Sequence, residues 1–598
     1  MSDYVPIADH GLVGDLRTVA LIDTSATVDW LCLPRFDSPS VFGSLLDAGR
    51  GGCFRLAPLC EVETTKQLYL PDTNVLITRF LTEDGVAEVQ DFMPIAGGGR
   101  NPQALVRRVL AVRGRMTFGI RIAPRFDYGR SQHDVQRQEN GVVFRSSGLS
   151  LALSTDLGLE LREGDAEAHF VLEEEQCVGL TLECLDERSL PALRSGEDVG
   201  RLFEETVAFW RRWLSRSRYT GRWREMVHRS ALVLKLLTYE PTGAIIAAPT
   251  TSLPEQLGGE RNWDYRYTWI RDAAFVAYAM LRLGFTDEAA AFMDWLKLRF
   301  DDREDRESGP LQIIYGIDGR SELPEEELGH WEGYAGSSPV RIGNGAAHQL
   351  QLDVYGELVD AIYLYNKYGS EIGHDDWQEV SRIVDWVCGH WDQPDEGIWE
   401  VRGGRKDFTY SRLMSWVAVE RAVRIARQRG LPGDVPGWLE ARDAIYRQIM
   451  ERGWNPHRRA FVQHYDTDVL DASVLLMPLV KFMAPTDPRW LSTLDAISHE
   501  LVSDSLVYRY NPQASPDGLR GEEGTFSICT FWYVEALARA GRLDDARLTL
   551  EKMFSYANHL GLYAEQIGPT GQQLGNFPQA FTHLALISAA WNLNRALG

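Results

Sequence analysis

Two glutamates that lie far apart in the chain share the same kind of surroundings. Glu400 follows Trp399, Glu565 lies two residues after Tyr563, and each stands ahead of a long helix-like stretch. Cleavage of a glycosidic bond needs one carboxyl group that protonates the leaving oxygen and a second, ionised one that activates water or attacks carbon. We therefore interpret Glu400 as a general acid and Glu565 as its ionised partner.

Each glutamate taken alone also has a simpler explanation. An acidic residue near the start of a helix is favoured by the helix dipole, and it readily forms a salt bridge. Other acids in the same part of the chain compete for the catalytic roles: Glu322, Glu325, Glu326, Glu327, Glu332, Glu522 and Glu523. Because the run at 325–327 is most simply a solvated face, the pairing of Glu400 with Glu565 needs support from their positions.

The segment 261–272 alternates aromatic residues with polar and charged ones. Such a mixture suits a sugar, whose apolar ring faces stack on aromatic side chains while its hydroxyls make directional hydrogen bonds. A buried Arg–Asp pair that positions helices is the alternative. Arg341, which precedes Gly343-Asn344-Gly345, has the same two interpretations: a carbohydrate contact, or the first turn of a helix.

Apolar periodicity from residue 222 onwards predicts about twelve helices. Their predicted starts lie near residues 222, 269, 285, 345, 374, 409, 435, 470, 487, 525, 542 and 578. A closed ring of six hairpins, with parallel inner helices, is an economical way to bury twelve amphipathic helices. In such a ring the loops that precede alternate helices open on the same face.

The loops rich in aromatic, Arg and acidic residues follow this alternation. They span 262–272, 331–344, 399–410, 520–524 and 563–578, and they precede the second, fourth, sixth, tenth and twelfth helices. Because all five helices are even-numbered, we predict that these loops converge on one face. Trp331, Arg341 and Tyr563 are then candidate substrate contacts beside the two glutamates.

From residue 11 to about 186 the chain consists of short β-rich runs separated by turn residues, which is typical of an antiparallel sandwich. A helical pattern follows at 197–217. We predict an N-terminal β-sandwich domain over 1–196, a helical linker over 197–221 and a catalytic helical barrel over 222–598. The loop at 29–39, with Trp30 and Arg35, is either an interdomain packing loop or part of a pocket rim.

Composition narrows the choice of partners. The chain has 598 residues, enough for more than one core, and its formal net charge is -23. This charge argues against nucleic acid and anionic membranes as partners, and it leaves sugars and other neutral ligands open. No targeting or membrane-spanning pattern is present, so we expect a cytoplasmic protein; a homo-oligomer is left open.

Metal and cofactor chemistry has no support in the sequence. The seven cysteines form no CxxC pair, which predicts reduced structural thiols. His559 and His583 stand alone and are interpreted as hydrogen-bonded structural residues, and no convincing phosphate-binding loop occurs. We expect neither a metal nor another cofactor.

Six segments together resemble the glucoamylase-type inverting glycosidases, glycoside hydrolase family 15, and especially its bacterial glucoamylases, glucodextranases and trehalases. The segments are 247–255, 261–272, 339–344, 397–400, 562–565 and 575–583. The resemblance covers nearly the whole chain. It implies a multi-domain β + α fold in which an N-terminal antiparallel β-sandwich is followed by a helical (α/α)6 barrel.

The resemblance also implies roles for individual residues. Glu400 matches the general acid and Glu565 the general base of an inverting enzyme, whose two carboxyl groups stand about 6.5 to 9.5 Å apart to admit a water. The matched contacts to the sugar being cleaved are Tyr265, Trp269, Arg271, Asp272 and Trp399, with Arg520 as a further candidate.

One position departs from the fungal glucoamylase pattern. Val401 stands where the fungal enzymes have a second, substrate-binding glutamate, so recognition beyond the first sugar is expected to differ. We expect an exo-acting inverting α-glucoside hydrolase that releases β-glucose, with trehalose favoured over α-1,4 or α-1,6 gluco-oligosaccharides. A non-catalytic carbohydrate-binding protein and a phosphorolytic enzyme are the alternatives from other classes.

Overall fold

The computed structural model describes residues 4–95, 102–185, 196–300, 309–521 and 523–598. The chain forms two compact units. Unit 1 comprises Met1–Arg216, Leu328–Val340 and Ala557–Leu562, and unit 2 comprises Ser217–Glu327, Arg341–Tyr556 and Tyr563–Gly598. Among the described residues, no helix is both long and apolar enough to cross a membrane.

Unit 1 is built from antiparallel strands. In chain order they are β1 (His10–Gly14), β2 (Val19–Asp23), β3 (Thr27–Cys32), β4 (Ser40–Phe42), β5 (Cys53–Pro58), β6 (Thr64–Tyr69), β7 (Leu76–Leu81), β8 (Gly85–Phe92), β9 (Ala104–Ala123), β10 (Asp134–Gln138), β11 (Gly141–Ser146), β12 (Leu149–Ser154), β13 (Glu160–Arg162), β14 (Asp165–Glu173) and β15 (Cys177–Leu185). Buried and less buried residues alternate along β8, as expected of a strand with one face on a core.

Strand β9 belongs to two sheets. Its residues 104–114 pair with β8 and β15, whereas residues 115–123 pair with β5 and β14. One sheet has the order β1-β2-β3-β5-β9-β14-β13, with β4 beside β3, and the other has the order β6-β7-β8-β9-β15-β12-β11-β10. The predicted antiparallel β domain is therefore confirmed.

The segment predicted as a helical linker forms α1 (Gly196–Leu214), which belongs to unit 1. One face of this helix carries apolar residues that complete a core cluster with the strands. The cluster contains Val75, Phe92, Val106, Val199, Leu202 and Val207. In addition, the hydroxyl of Thr206 accepts a hydrogen bond of 3.2 Å from the backbone of Ile95, so α1 is a packed element of the β unit.

Two aromatic side chains that the sequence suggested for a pocket are core residues of unit 1. Trp30, in β3, is fully buried. Trp331 is also buried, with its ring edge-on to Tyr128 at 5.9 Å between centroids. Arg35, near Trp30, forms an ion pair of 3.0 Å with Asp37.

Unit 2 is helical. Its helices are α2 (Arg224–Leu236), α3 (Ile270–Leu283), α4 (Thr286–Phe300), α5 (Asp353–Tyr368), α6 (His374–His390), α7 (Thr409–Arg429), α8 (Val435–Gln448), α9 (Pro488–Glu500), α10 (Ser527–Arg539), α11 (Leu543–Ser555) and α12 (Ala580–Ala596). Short 3₁₀ segments lie at Gly345–His348 and Ala472–Leu476, and a π-helical turn at Ile449–Gly453.

Short two-residue strands tie the loops of unit 2 together. They are β16 (Thr268–Trp269), β17 (Ile314–Tyr315), β18 (Glu326–Glu327), β19 (Arg341–Ile342), β20 (Trp454–Asn455), β21 (Ala460–Phe461), β22 (Val502–Ser503), β23 (Leu506–Val507), β24 (Thr525–Phe526), β25 (Gln566–Ile567) and β26 (Gln573–Leu574). The last three form one small sheet, which fixes the loops before α10 and α12 to each other.

The inner helices form a closed ring. In order around it, α3, α5, α7, the 3₁₀ segment Ala472–Leu476, α10 and α12 each pack against the next, and α12 packs against α3. These are the second, fourth, sixth, eighth, tenth and twelfth helical positions, as the alternation in the sequence predicts. Two details differ: the eighth position is a short 3₁₀ segment, and α5 begins at Asp353 because a 3₁₀ segment precedes it.

Helix ends follow local sequence. Gly284 and Gly430 take left-handed conformations directly after α3 and α7, where a residue with a Cβ would be strained. The side chain of Asp487 accepts from the backbone of Arg489, and Pro488 follows it at the first helical position of α9.

A close approach between two helices of the ring depends on Gly356 of α5. A Cβ at this position would lie 2.1 Å from the carbonyl oxygen of Met414 in α7, far inside van der Waals contact. The absence of a side chain therefore lets these two inner helices touch through their backbones.

We predict that Gly356→Ala destabilises unit 2 by about 2 kcal/mol or more, because the added methyl group must push α5 and α7 apart. Gly389→Ala is the matched control, since Gly389 lies in α6 and no neighbouring atom is within 4 Å of the Cβ that alanine would add. This control should gain up to about 1 kcal/mol from helix propensity. Urea unfolding followed by tryptophan fluorescence gives both changes, and equal midpoints for the two variants would contradict the prediction.

Candidate active site

A cavity opens at the N-terminal ends of the inner helices of unit 2. Residues from the loops ahead of α3, α5, α7, α10 and α12 line it. They are Ala247, Glu255, Arg261, Trp263, Tyr265, Trp269, Arg271, Asp272, Asn344, Ala346, Ile398, Trp399, Glu400, Val401, Arg402, Arg509, Asp517, Leu519, Phe526, Glu565, Gln579 and Phe581. The loops that precede the even-numbered helices thus meet in one place, and Glu400 and Glu565 line the same cavity.

Glu400 is held by two N–H donors. The indole Nε1 of Trp269 donates to its Oε1 at 2.7 Å, and Nη2 of Arg271 donates to the same oxygen at 3.3 Å. The backbone of Glu400 has a φ of 56°, which is unusual for a residue with a Cβ. The turn around it therefore aims this side chain at the cavity, where it is 22% exposed.

Arg271 connects the loop that carries Glu400 with the start of α3. Its Nε donates to Asp272 at 3.0 Å, and its Nη1 donates to the backbone carbonyl of Ile398 at 3.1 Å. Burial raises the pKa of Asp272 to about 6, although Arg271 opposes the shift and the nearby Glu400 adds to it. The Arg271 guanidinium therefore holds the loop that carries Glu400. It also favours the ionised form of the buried Asp272 carboxyl near neutral pH.

Glu565 is fully buried between two other donors. The hydroxyl of Tyr265 donates to its Oε1 at 2.5 Å, and Nε2 of Gln579 donates to the same oxygen at 3.1 Å. Burial and the Glu255 carboxyl raise the pKa of Glu565 well above its ordinary value, whereas Tyr265 and Arg509 lower it. These donors are what allow a carboxylate to exist at this depth.

Gly575 makes room for Glu565. A Cβ on this glycine would lie 2.6 Å from Oε2 of the carboxyl group, and its φ of 77° is in the left-handed region. The backbone N–H of Gly575 donates to Pro254 at 2.8 Å, which fixes the turn after β26. The position of Glu565 therefore depends on glycine at 575.

Trp399 forms an aromatic wall next to the acid. Its Nε1 donates at 2.9 Å to Asp471, the residue directly before the 3₁₀ segment Ala472–Leu476. Its ring packs against Phe526 at 5.5 Å and Trp532 at 6.0 Å between centroids. Tyr265 and Trp269 form a second aromatic pair, 5.3 Å apart. Two aromatic surfaces and several hydrogen-bonding groups suit a sugar ring.

A network of buried charges forms another wall. Arg509 donates to Glu523 at 2.6 Å, and Arg261 pairs with Glu523 at 2.6 Å and with Asp517 at 2.8 Å. Glu255 lies 3.8 Å from Arg509. Burial raises the pKa of Glu255 to about 7, with Arg509 acting against the shift and Glu523 increasing it.

Glu255 and Arg509 line the cavity, although neither was predicted from the sequence as a site residue. Arg509 lies well ahead of the predicted loop 520–524, and only its position after β23 brings it to the cavity. For Glu255 a signal existed, because the segment 247–255 carries part of the family resemblance.

Four residues proposed as substrate contacts do not line the cavity. Trp331 is in the core of unit 1. The side chain of Arg520 is exposed. Arg341 is not among the cavity-lining residues, and its guanidinium donates to the backbone carbonyl of Glu260 at 2.7 Å. Tyr563 is fully buried behind Glu565, where its hydroxyl donates to a carbonyl of α11 at 3.0 Å.

Two of the competing acids have other partners. Glu523 is held by Arg509, and Glu325 accepts from Arg402 at 3.0 Å. Glu522 lies outside the described residues. His583 is buried, with Nδ1 3.0 Å from the hydroxyl of Ser230, and burial lowers its pKa to about 3, which fits a neutral structural histidine.

The site has the groups for proton transfer at a glycosidic oxygen and for activation of water: two carboxyl groups, each with its own donors, in one aromatic-walled cavity. Within the described part of the chain, no group of three or more His, Cys, Asp and Glu side chains is placed to hold a metal ion.

Comparisons with known proteins agree with this geometry. Residues 221–591 match the family model for glycosyl hydrolases family 15, and residues 2–198 match a model for a trehalase-like N-terminal domain. A trehalase of Mycolicibacterium smegmatis is 40% identical over 619 residues, with coverage of 99% of this chain and 92% of the relative. A trehalase of Thermoplasma volcanium is 38% identical, covering 99% and 94%.

A solved structure shares the fold. A bacterial glucoamylase complexed with acarbose superposes with a TM-score of 0.75 at 14% sequence identity, covering 99% of this chain and 95% of that one. At this identity the likeness concerns the fold alone.

We predict that Gly575→Ala lowers kcat for an α-glucoside by about 10²-fold, because the methyl group displaces the Glu565 carboxyl. Gly571→Ala is the matched control: φ at Gly571 is also positive, at 85°, but the nearest atom to its added methyl group is in Tyr556 at 3.6 Å. Both variants carry the same backbone strain, so a similar loss of kcat in both would show that Glu565 is not the cause.

Proposed function

Because the chain belongs to glycosyl hydrolases family 15, we propose that it is an exo-acting, inverting glycosidase that hydrolyses the α,α-1,1 linkage of trehalose. The observation that carries this proposal is the presence of Glu400 and Glu565 in one cavity, each fixed by separate hydrogen-bond donors. The linkage follows from relatives named trehalases that are 38–40% identical over nearly the whole chain.

In the proposed reaction, Glu400 is the general acid. Its Oε1 accepts two N–H donors, from Trp269 and Arg271, so the proton for the leaving oxygen is carried on Oε2. As the bond from C1 to the bridging oxygen breaks, that oxygen keeps the bonding electrons and takes this proton. Trp269 and Arg271 then stabilise the Glu400 carboxylate that remains.

Glu565 is the proposed general base. Its Oε1 is occupied by Tyr265 and Gln579, which leaves Oε2 to take a proton from the attacking water. The water oxygen bonds to C1 on the face opposite the leaving group, so one glucose is released in the β configuration. The second glucose leaves with its own α configuration unchanged. Proton exchange with solvent restores both carboxyl groups.

The substrate contacts are assigned by their place in the cavity. We propose that Tyr265, Trp269, Arg271, Asp272 and Trp399 contact the sugar that is cleaved. Arg509 takes the place expected for Arg520 on the wall, and we assign no direct contact to Trp331, Arg341 or Tyr563. The cytoplasmic location and the possibility of a homo-oligomer stay predictions from the sequence.

The proposal is tested with a substrate panel of trehalose, maltose, isomaltose and panose. We expect glucose release from trehalose, and proton NMR in the first minutes should show α- and β-glucose formed in equal amounts. Glu400→Gln and Glu565→Gln should each lower kcat by about 10²- to 10⁴-fold. The matched control is Glu551→Gln, an exposed change on α11 whose kcat should stay that of the wild type.

The outcomes separate the alternatives. Maltose or isomaltose turnover without trehalose turnover would identify a glucoamylase or glucodextranase. Cleavage that strictly requires phosphate would indicate a phosphorolytic enzyme, and sugar binding without any turnover would indicate a carbohydrate-binding protein.

The raised pKa of Glu565 sets the acidic side of the pH profile. A general base must be ionised, so activity is lost as the pH falls through this raised pKa. Because the Tyr265 hydrogen bond lowers the pKa of Glu565, we predict that Tyr265→Phe moves the acidic limb of kcat/KM to higher pH. Its loss of activity relative to wild type is then greater at pH 5 than at pH 8. Tyr446→Phe, an exposed control on α8, should leave the profile unchanged, and a limb that moved to lower pH in Tyr265→Phe would refute the assignment.

A further inference from the structure

A second cavity lies at the opposite end of the helical ring. It is lined by the C-terminal parts of α3, α5, α7, α10 and α12 and by the chain after the 3₁₀ segment Ala472–Leu476. We call it the distal cavity. Its volume, including the part open to solvent, is about 1900 Å³. The cavity that contains Glu400 and Glu565, which we call the catalytic cavity, has a volume of about 790 Å³ by the same measure. The distal cavity is therefore large enough for a small-molecule ligand.

An aromatic layer separates the two cavities. Trp532 lines the distal cavity, and its ring packs against Trp399 and Phe581 of the catalytic cavity, each at 6.0 Å between centroids. Phe275 lines the distal cavity and stacks on Phe581 at 5.9 Å. A ligand in the distal cavity would thus occupy its own compartment and would not share the glycosidic site.

The charge of the distal cavity is opposite to that of the whole chain. Eight Arg and Lys side chains line it, against the carboxyl groups of only Asp360 and Glu535 among the described residues, whereas the chain has a formal net charge of -23. Basic residues in the last turn of a helix are favoured by its dipole. Here several such helix ends surround one space, and their positive charges add up there.

Most of these cations have no acidic partner among the residues that the structure describes. Arg421, Arg424 and Arg539 each have a carboxylate within 4 Å. For the other five, no carboxylate lies within ion-pair distance in the described parts of the chain: Arg218, Arg282, Lys367, Lys481 and Arg595.

Arg282 contacts four neutral side chains of the distal cavity. Its guanidinium donates to the side chains of Ser588 at 3.3 Å and Asn592 at 2.7 Å, and it lies over the rings of Tyr278 and Trp591 at 5.1 and 5.5 Å. All these partners are neutral. The arginine is therefore held in position by the fold while its charge is left for an anion.

We propose that the distal cavity binds a small phosphate ester. Arginine and lysine side chains recognise phosphate oxygens, because Arg presents a rigid pair of N–H donors and Lys a point charge. The Tyr278 and Trp591 rings beside Arg282 offer a surface for the ring of a sugar or a nucleobase. A doubly or more highly charged ester with such a ring fits both features.

The test is isothermal titration calorimetry of the full-length protein with ATP, glucose 6-phosphate and inorganic phosphate. We expect one equivalent of at least one ester to bind, more tightly than inorganic phosphate, with an affinity that falls as NaCl is added. Tighter binding of ATP would identify a nucleotide and tighter binding of glucose 6-phosphate a sugar phosphate; either result supports the proposal.

Variants of residues that line the distal cavity test whether the ester binds there. Arg282→Gln should weaken ester binding about tenfold or more. Because Arg282 also bonds to α12, the double variant Lys367→Gln/Arg595→Gln is a second test: both side chains are exposed and have no ion pair in the described parts of the chain. Arg547→Gln on α11, which removes a positive charge outside the cavity, should change the affinity less than twofold.

The proposal is overturned if no ester binds, if inorganic phosphate binds as tightly as both esters, or if the cavity variants and Arg547→Gln behave alike. Calorimetry requires no sugar turnover, so this result is independent of the glycosidase assignment.

Discussion

Burial of charge is the constraint on which the candidate active site depends. Glu565 is buried at 2% exposure, and without donors its carboxylate would not form there. The donors come from other loops: Tyr265, ahead of α3, bonds to Glu565, ahead of α12, and Trp269 bonds to Glu400, ahead of α7. Each carboxyl group is therefore correctly held only when the ring of inner helices is closed.

This dependence explains why so much of the architecture could be predicted from the sequence. Loops with chemically useful residues preceded even-numbered helices, because a ring of hairpins brings only those loops to one face. Two local differences from the predicted helices leave the ring intact. The eighth helix is a short 3₁₀ segment and α5 starts later than its periodicity indicated, yet both keep their positions in the ring.

Where the cavity lining differs from the prediction, the contacts involved are ones that sequence neighbours do not reveal. Trp331 lies in an aromatic-rich loop like that of Trp399, but its ring is covered by Tyr128 of the β unit. Arg509 lines the cavity, where its guanidinium is held by Glu523, whereas the side chain of Arg520 is exposed. In both cases the deciding partner is brought near by tertiary packing, which periodicity and composition do not encode.

Strand β9 has a consequence for how the N-terminal unit folds. Its first half supplies hydrogen bonds to one sheet and its second half to the other. Neither sheet can lose this strand without breaking the other, so the two sheets are expected to unfold together in one cooperative event. Pairing also joins strands far apart in sequence, such as β5 and β9, which makes this unit slow to fold relative to the local hairpins of the helical ring.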